Sequence, residues 1–345
     1  MYRVGIIGYG TVGKRVTDAV LRQPDMELVG ISAHSYNYRI DVANQKGIPI
    51  YAMNDITELS GNGIQVKGSI KNLLSNIDVV VDCTPKKIGK ANKENYYVNY
   101  PNLKAIYQGG EKAEIGKSFV AQCNYNESIG QKHVRVVSCN TTGLARTLHT
   151  IDTHWPIQRV RATLIRRGTD PADSDRGPIN AIVPSLELPS HHGPDVRTVL
   201  PNIEVFTTAV VVPTTLMHMH NLSVDLKEVG EDTKGKMPTA DDVIEVFKKA
   251  PRIRVVKSSS GIISTAEIME YAKDLGNHRG DMMDICVWEK GLGIHGKELF
   301  YAQAVHQESN IVPENIDAIR AAMGFEDGEE SIRITNRTLG LKERG

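Results

Sequence analysis

The 345-residue chain has no excess of either charge: 41 Lys and Arg stand against 41 Asp and Glu. That balance argues against a general nucleic-acid or acidic-membrane binder, because both kinds of binding need a clustered positive field. No apolar run approaches the ~18 residues that span a bilayer. The longest, Val79–Val81 and Ala209–Val212, are strand-sized. Cysteine is scarce, with only Cys83, Cys123, Cys139 and Cys286. They form no CxxC pair and no zinc spacing, and they are too sparse for a disulfide framework, so a reduced, cytoplasmic protein without a metal site is expected. The first residues carry no basic leader or apolar core of a signal peptide. Repeats and low-complexity tracts are also missing. What is present is an ordinary globular composition, 40% hydrophobic with 30 glycines, which excludes global disorder. At roughly 100–200 residues per domain, two domains are expected.

The first is a Rossmann-type parallel-sheet domain over residues 1–139. Val4–Ile7 is a short apolar strand, Lys14–Leu21 has helical spacing, and Met26–Ser32 is a second strand. Ile77–Cys83, Ala105–Gln108 and Val134–Ser138 continue the pattern, with the near-continuous apolar character of strands covered on both faces. The second, over residues 140–311, is an α+β catalytic domain with a largely antiparallel sheet. Its strands are Val160–Arg166, Glu204–Val212, Thr215–Leu222 and Ile253–Lys257. Thr239 and Asp242 read as the capped start of a helix over Pro238–Ala250. Residues from about 312 to 345, with a helix at Pro313–Met323, are expected to return to the first domain. The acidic run Glu326–Glu330 reads as a solvated turn.

Gly8-Tyr9-Gly10-Thr11-Val12-Gly13 lies between the first strand and the first helix, the context in which GxGxxG binds a dinucleotide. Gly8 permits the tight turn, Gly10 lets backbone approach the pyrophosphate, and Gly13 lets helix and strand pack closely. An acidic residue about 20 positions on would select NAD through the ribose hydroxyl. The second strand instead ends Ser32-Ala33-His34-Ser35, with Arg39 beyond. The site therefore reads as NADP-permissive, accepting both NADP and NAD.

Cys139 follows a strand and opens a helix, where the positive end of the helix favours the thiolate. A base is needed, and alternation along Thr214–His220 places His218 and His220 on one face. Arg166 and Arg167 end another strand, and Ser190-His191-His192-Gly193 forms a polar loop; these two donor sets suit anions such as a substrate phosphate.

Further motifs accompany these: Asp82-Cys83-Thr84-Pro85, Tyr107-Gln108-Gly109-Gly110-Glu111-Lys112, Ser138-Cys139-Asn140-Thr141-Thr142-Gly143-Leu144, Arg166-Arg167-Gly168-Thr169-Asp170, His192-Gly193-Pro194-Asp195 and His306-Gln307-Glu308-Ser309. In this order, across nearly the whole chain, they resemble the archaeal type of phosphorylating glyceraldehyde-3-phosphate dehydrogenase. The resemblance implies an NAD(P)-dependent enzyme of glycolysis or gluconeogenesis. It would oxidise glyceraldehyde 3-phosphate with inorganic phosphate to 1,3-bisphosphoglycerate through a cysteine thioester, as a homotetramer. It implies Cys139 as nucleophile, with His218 as catalytic histidine and His220 in reserve. Ser138, Asn140, Arg166, His192 and Gly193 would contact substrate. Gly8, Gly10, Thr11, Val12, Gly13, Gly109, Arg167 and Gln307 would contact the cofactor. The family often carries a Lys where this chain has Ala33, which weakens the expectation of a strong NADP preference. The alternatives are another thiol-dependent aldehyde dehydrogenase, such as one acting on aspartate semialdehyde, and a non-catalytic NAD(P)-binding sensor.

Overall fold

In a computed structural model, which describes residues 1–108, 110–170, 177, 180–228 and 237–341, the N-terminal part builds an eight-stranded sheet. Its order is Val66–Ser69, Ile50–Ala52, Met26–Ala33, Tyr2–Ile7, Val79–Asp82, Lys104–Gln108, His133–Val136, Lys117–Phe119, and every pair is parallel. Val79, Val80 and Val81 have no exposed surface, as a strand with both faces covered requires. Chain order reverses at Tyr2–Ile7, which pairs Met26–Ala33 on one side and Val79–Asp82 on the other. Open parallel sheets bind ligands at such a switch point, beyond the carboxyl ends of the strands.

Met1–Ser138 joins Ile311–Leu339 in this first unit. The returning chain forms the helices Val312–Ala322 and Gly328–Leu339. A fully buried Arg320 ties it down, donating to both carboxylate oxygens of Asp25 (2.7 and 2.8 Å), to Gln23 and to Thr335. The acidic run is not a solvated turn throughout. Glu329 and Glu330 lie in the first turn of the last helix, where carboxylates meet the positive end of its dipole.

The second unit is built from Cys139–Asn310. Its sheet runs Val183–Pro184, Glu204–Val212, Ile157–Arg167, His218–Leu226, Glu298–Val305, Ile285–Trp288, Ile253–Val256, with Gly293–His295 also on Glu298–Val305. Antiparallel pairs predominate, but Ile157–Arg167 with Glu204–Val212 and Ile253–Val256 with Ile285–Trp288 are parallel, so the sheet is mixed. The helix Ala240–Lys249 begins at Thr239, whose capping box with Asp242 is present. The helix Cys139–Asp152 is buried from Asn140 to Leu148. Arg146 within it is fully buried and donates to the carbonyls of Met283 (3.0 Å) and Asn310 (2.7 Å), which satisfies its charge locally.

Candidate active site

In the first unit, the glycines of the phosphate loop fall into two kinds. Gly8 adopts φ +87°, and a Cβ on Gly13 would sit 1.9 Å from the Gly8 carbonyl oxygen, so the loop cannot close with larger residues. A Cβ on Gly10 would meet no protein atom within 4 Å. Nothing among the described residues accounts for its smallness, whereas backbone approach to a pyrophosphate does. The helix Gly13–Val20 has Val12 at its N-cap and no side-chain cap; the Lys14 and Arg15 N–H groups already donate to the Gly10 and Val12 carbonyls, so it is the loop and the positive end of the helix, not a full turn of open N–H groups, that favour an anion. These residues fit a dinucleotide.

Beyond the second strand, His34 Nε2 accepts from Asn54 Nδ2 (3.0 Å). Arg39 lies over the Tyr38 ring (5.1 Å), and its buried Nε has no hydrogen-bond partner among the described residues. A carboxylate reaches this corner from another element: Glu58 accepts from the Tyr36 amide (3.0 Å). Asp82 is structural. It accepts from Thr84 N–H, Asn92 and Tyr97 and so fastens the end of its strand. Gly109 lies outside the described residues. Ser138 closes the first unit.

In the second unit, Cys139 is the first residue of its helix, and Asn310 Nδ2 holds its carbonyl (2.9 Å). Burial pushes the thiol up to about 11, against the opposing pull of Arg167, Arg166 and the Asn140 amide; Glu308 pushes the same way as burial. Desolvation of this half-buried thiol thus opposes the thiolate that the helix end and two arginines favour. The Arg167 guanidinium is already engaged. It donates to Glu308 Oε1 (3.1 Å), to the Thr169 carbonyl and to Asp170. Glu308 also pairs with His306 Nε2 (2.5 Å). Glu308 belongs to a quoted motif but had no role from sequence. Arg166 Nε is buried without a partner among the described residues.

The two candidate histidines are distinct. His218 Nδ1 accepts the Arg167 backbone N–H (3.0 Å), so the neutral ring carries its proton on Nε2. Burial, with His220 and the two arginines, lowers its pKa well below the usual range and keeps it neutral. Both ring nitrogens of the fully buried His220 are taken, Nε2 by Asn140 Oδ1 (2.9 Å) and Nδ1 by Gln303 (3.0 Å). His220 is thus not placed to carry protons. The polar loop expected at His192-Gly193 is instead the first turn of a short helix, His192–Arg197, with both residues buried. His192 Nε2 faces Asn140 Nδ2 (3.5 Å), Nδ1 faces Ser190 (3.2 Å), and Gly193 N–H donates to Thr207 (2.9 Å). Burial lowers His192 to about 2. The buried Gln307 side-chain amide has no hydrogen-bond partner at either end among the described residues. Cys139, Asn140, Arg166, Arg167, His192, His218, His220 and Gln307 thus share one unit, and the phosphate loop belongs to the other.

A doubly wound parallel sheet with this loop, joined in sequence to a mixed-sheet unit, defines an oxidoreductase that uses a nicotinamide nucleotide. The family model described as "Glyceraldehyde 3-phosphate dehydrogenase, C-terminal domain" matches residues 138–285, and "Dihydrodipicolinate reductase, N-terminus" matches residues 2–103. Relatives named glyceraldehyde-3-phosphate dehydrogenase include one from Methanococcoides burtonii, 49% identical over 98% of this chain and 99% of its own length. Those from Thermococcus kodakarensis and Methanothermus fervidus are each 48% identical, over 98% and 99% of this chain and the same shares of their own lengths. The chain belongs to the glyceraldehyde-3-phosphate dehydrogenase family.

Proposed function

We propose that this chain oxidises glyceraldehyde 3-phosphate to 1,3-bisphosphoglycerate, with NADP or NAD and inorganic phosphate, through a thioester on Cys139. The observation that carries the reading is the Cys139 thiol at a helix start, beside Arg166 and Arg167, with a neutral His218 hydrogen-bonded to the Arg167 backbone.

The thiol loses its proton to solvent, and the sulfur adds to the aldehyde carbon. The carbonyl oxygen becomes an alkoxide, which His218 Nε2–H holds by hydrogen bonding; preorganised donors of this kind supply much of the barrier reduction in acyl chemistry. A bound nicotinamide would supply the hydride acceptor. As hydride leaves carbon the alkoxide becomes the thioester carbonyl, and no further proton need move. Phosphate then adds to the thioester carbon, the C–S bond breaks, the acyl phosphate departs, and the sulfur returns as thiolate, which takes back from solvent the proton the thiol gave up. The proton lost by hydrogen phosphate is the one released overall.

Asn140, Ser138, Arg166, His192 and Gly193 bind the substrate. Gly8, Gly10, Thr11, Val12 and Gly13 hold the pyrophosphate, Gly109 and Arg167 also contact the cofactor, and Gln307 takes the nicotinamide amide with a side chain that has no partner among the described residues. Arg39, together with the missing acidic residue at positions 32–35, supports use of both nucleotides. A homotetramer completes the reading. Exposed Ile182, Leu186, Leu188 and Ile263 support burial against further copies, which light scattering tests.

The decisive test is spectrophotometric. Nicotinamide reduction with glyceraldehyde 3-phosphate is followed for each nucleotide, with and without phosphate or arsenate. Reduction with either nucleotide that depends on phosphate or arsenate is expected. Reduction with aspartate semialdehyde instead, or none, overturns the proposal.

A further inference from the structure

His220, Gln303, Thr147 and Tyr301 have no place in the chemistry above, yet they are all but wholly buried: 0%, 0%, 0% and 2% exposed. Buried polar groups in a helix-on-sheet interface are costly unless every one finds a partner. Here each does. Thr147 Oγ1 also reaches the Gly143 and Leu144 carbonyls (3.3 Å each), farther than Gln303 Oε1, and along the shortest contacts the donors point one way. Tyr301 OH donates to Thr147 Oγ1 (3.0 Å), and Thr147 Oγ1 to Gln303 Oε1 (2.9 Å). Gln303 Nε2 donates to His220 Nδ1 (3.0 Å), and His220 Nε2 to Asn140 Oδ1 (2.9 Å).

Elementary periodicity assembles the chain. Tyr301 and Gln303 are two apart on one strand and share a face, and Gln303 stands directly across from His220 on the neighbouring strand. Asn140 and Thr147 are seven apart on the helix Cys139–Asp152 and also share a face. The chain therefore leaves the helix at Thr147, crosses two strands and returns to the helix two turns earlier.

We propose that this one-way hydrogen-bond chain, ending at His220, is a positioning device that locks the Asn140 side-chain amide with its NH2 on the His192 side, ready to donate to the substrate. The two ends of an amide have nearly the same shape, so packing alone cannot choose between them. With His220 presenting an N–H, turning the amide over would set donor against donor and strand a buried N–H. His220 is thus a positioning residue rather than a base. The proposal rests on the reading that Asn140 binds substrate.

The test uses two variants. Gln303→Met keeps length and volume but removes both amide ends. Tyr301→Phe removes only the first hydroxyl and covers the case in which Gln303→Met does not fold. With His220 free to change tautomer, Gln303→Met is expected to raise KM for glyceraldehyde 3-phosphate about tenfold, the worth of one oriented hydrogen bond, with kcat within about twofold. Tyr301→Phe is expected to raise it about threefold by the same reasoning. Alkylation of Cys139 by iodoacetamide without substrate should not change. A merely structural role would lower the active fraction and kcat, and disturb alkylation, while sparing KM. Unchanged KM in folded variants overturns the proposal. If the wild type reduces no nucleotide with glyceraldehyde 3-phosphate, the parent reading fails, and the chain is judged on nitrogen-15 resonances of His220. Protonated Nε2 with bare Nδ1 supports it; protonated Nδ1 overturns it.

Discussion

Reactivity of the free Cys139 thiol should depend steeply on pH. Its pKa, raised to about 11 chiefly by burial, compares with ~8.5 for an unhindered cysteine. At pH 7 the thiolate is then roughly one molecule in ten thousand, against about three in a hundred for free cysteine, a ratio of about 300. The more basic sulfur is the better nucleophile once ionised, by about thirteenfold at a Brønsted slope of 0.4–0.5. The net expectation is alkylation about twentyfold slower than free cysteine at pH 7. Because only the anion reacts, the rate should climb about tenfold per pH unit from pH 7 and level off near the thiol pKa. The assay is iodoacetamide labelling of the apo protein across this range, with Cys139 quantified by peptide mass spectrometry. A plateau beginning below pH 8 would mean a preformed ion pair and would refute the desolvation argument. The same assay probes the proposed reaction. Oxidised nicotinamide is a cation, and delivered to the sulfur it favours the anion. NADP should therefore speed labelling near pH 7, and its reduced form should not.

Other outcomes follow from single residues. Cys139→Ser should retain nucleotide binding by fluorescence titration and lose turnover, because a hydroxyl is a far poorer nucleophile. His218→Asn should lower kcat by about a hundredfold, the size of a lost oxyanion donor, without shifting the pH profile, since the neutral ring does not titrate near pH 7. Gly13→Ala drives a methyl against the Gly8 carbonyl and should cost about 1–3 kcal/mol, with weakened binding of both nucleotides in calorimetry. Arg320→Met abandons Asp25 and the buried Asp317, and should lower unfolding free energy in urea by about 3–5 kcal/mol. Arg39→Ala should raise KM for NADP more than for NAD; equal effects would remove Arg39 from the 2′-phosphate.

Most of the framework is legible in the sequence because it is written in local rules. Val4–Ile7, the glycine loop and Met26–Ser32 announce a strand, a phosphate turn and a strand with no knowledge of the rest. Thr239 and Asp242 announce a helix start through two side chains that serve each other. What stays hidden depends on partners distant in sequence. Ile50–Ala52, Val66–Ser69 and Lys117–Phe119 are strands of three or four residues whose hydrogen bonds come from the sheet rather than from their own pattern. Glu329 and Glu330 read as a charged turn because charge alone does not show that a helix N-terminus begins there.

The site divides along the same line. Its chemical residues are visible because their types are rare and set at junctions: one cysteine where a strand gives way to a helix, two arginines at a strand end, two histidines in alternation. Their electrical state is not visible, because it is the balance of terms from separate segments. For Cys139 the local term, the helix end, favours the anion, and the non-local term, burial, opposes it. For the two histidines the sequence offers identical spacing and identical side chains. They are told apart by what faces each ring: a backbone amide at Nδ1 of His218, and two side-chain amides, from residues 80 and 83 positions away, at His220. A ring with both nitrogens bound inside the core has no site left for a travelling proton, whereas a ring that the described residues bind only at Nδ1 keeps a proton to offer.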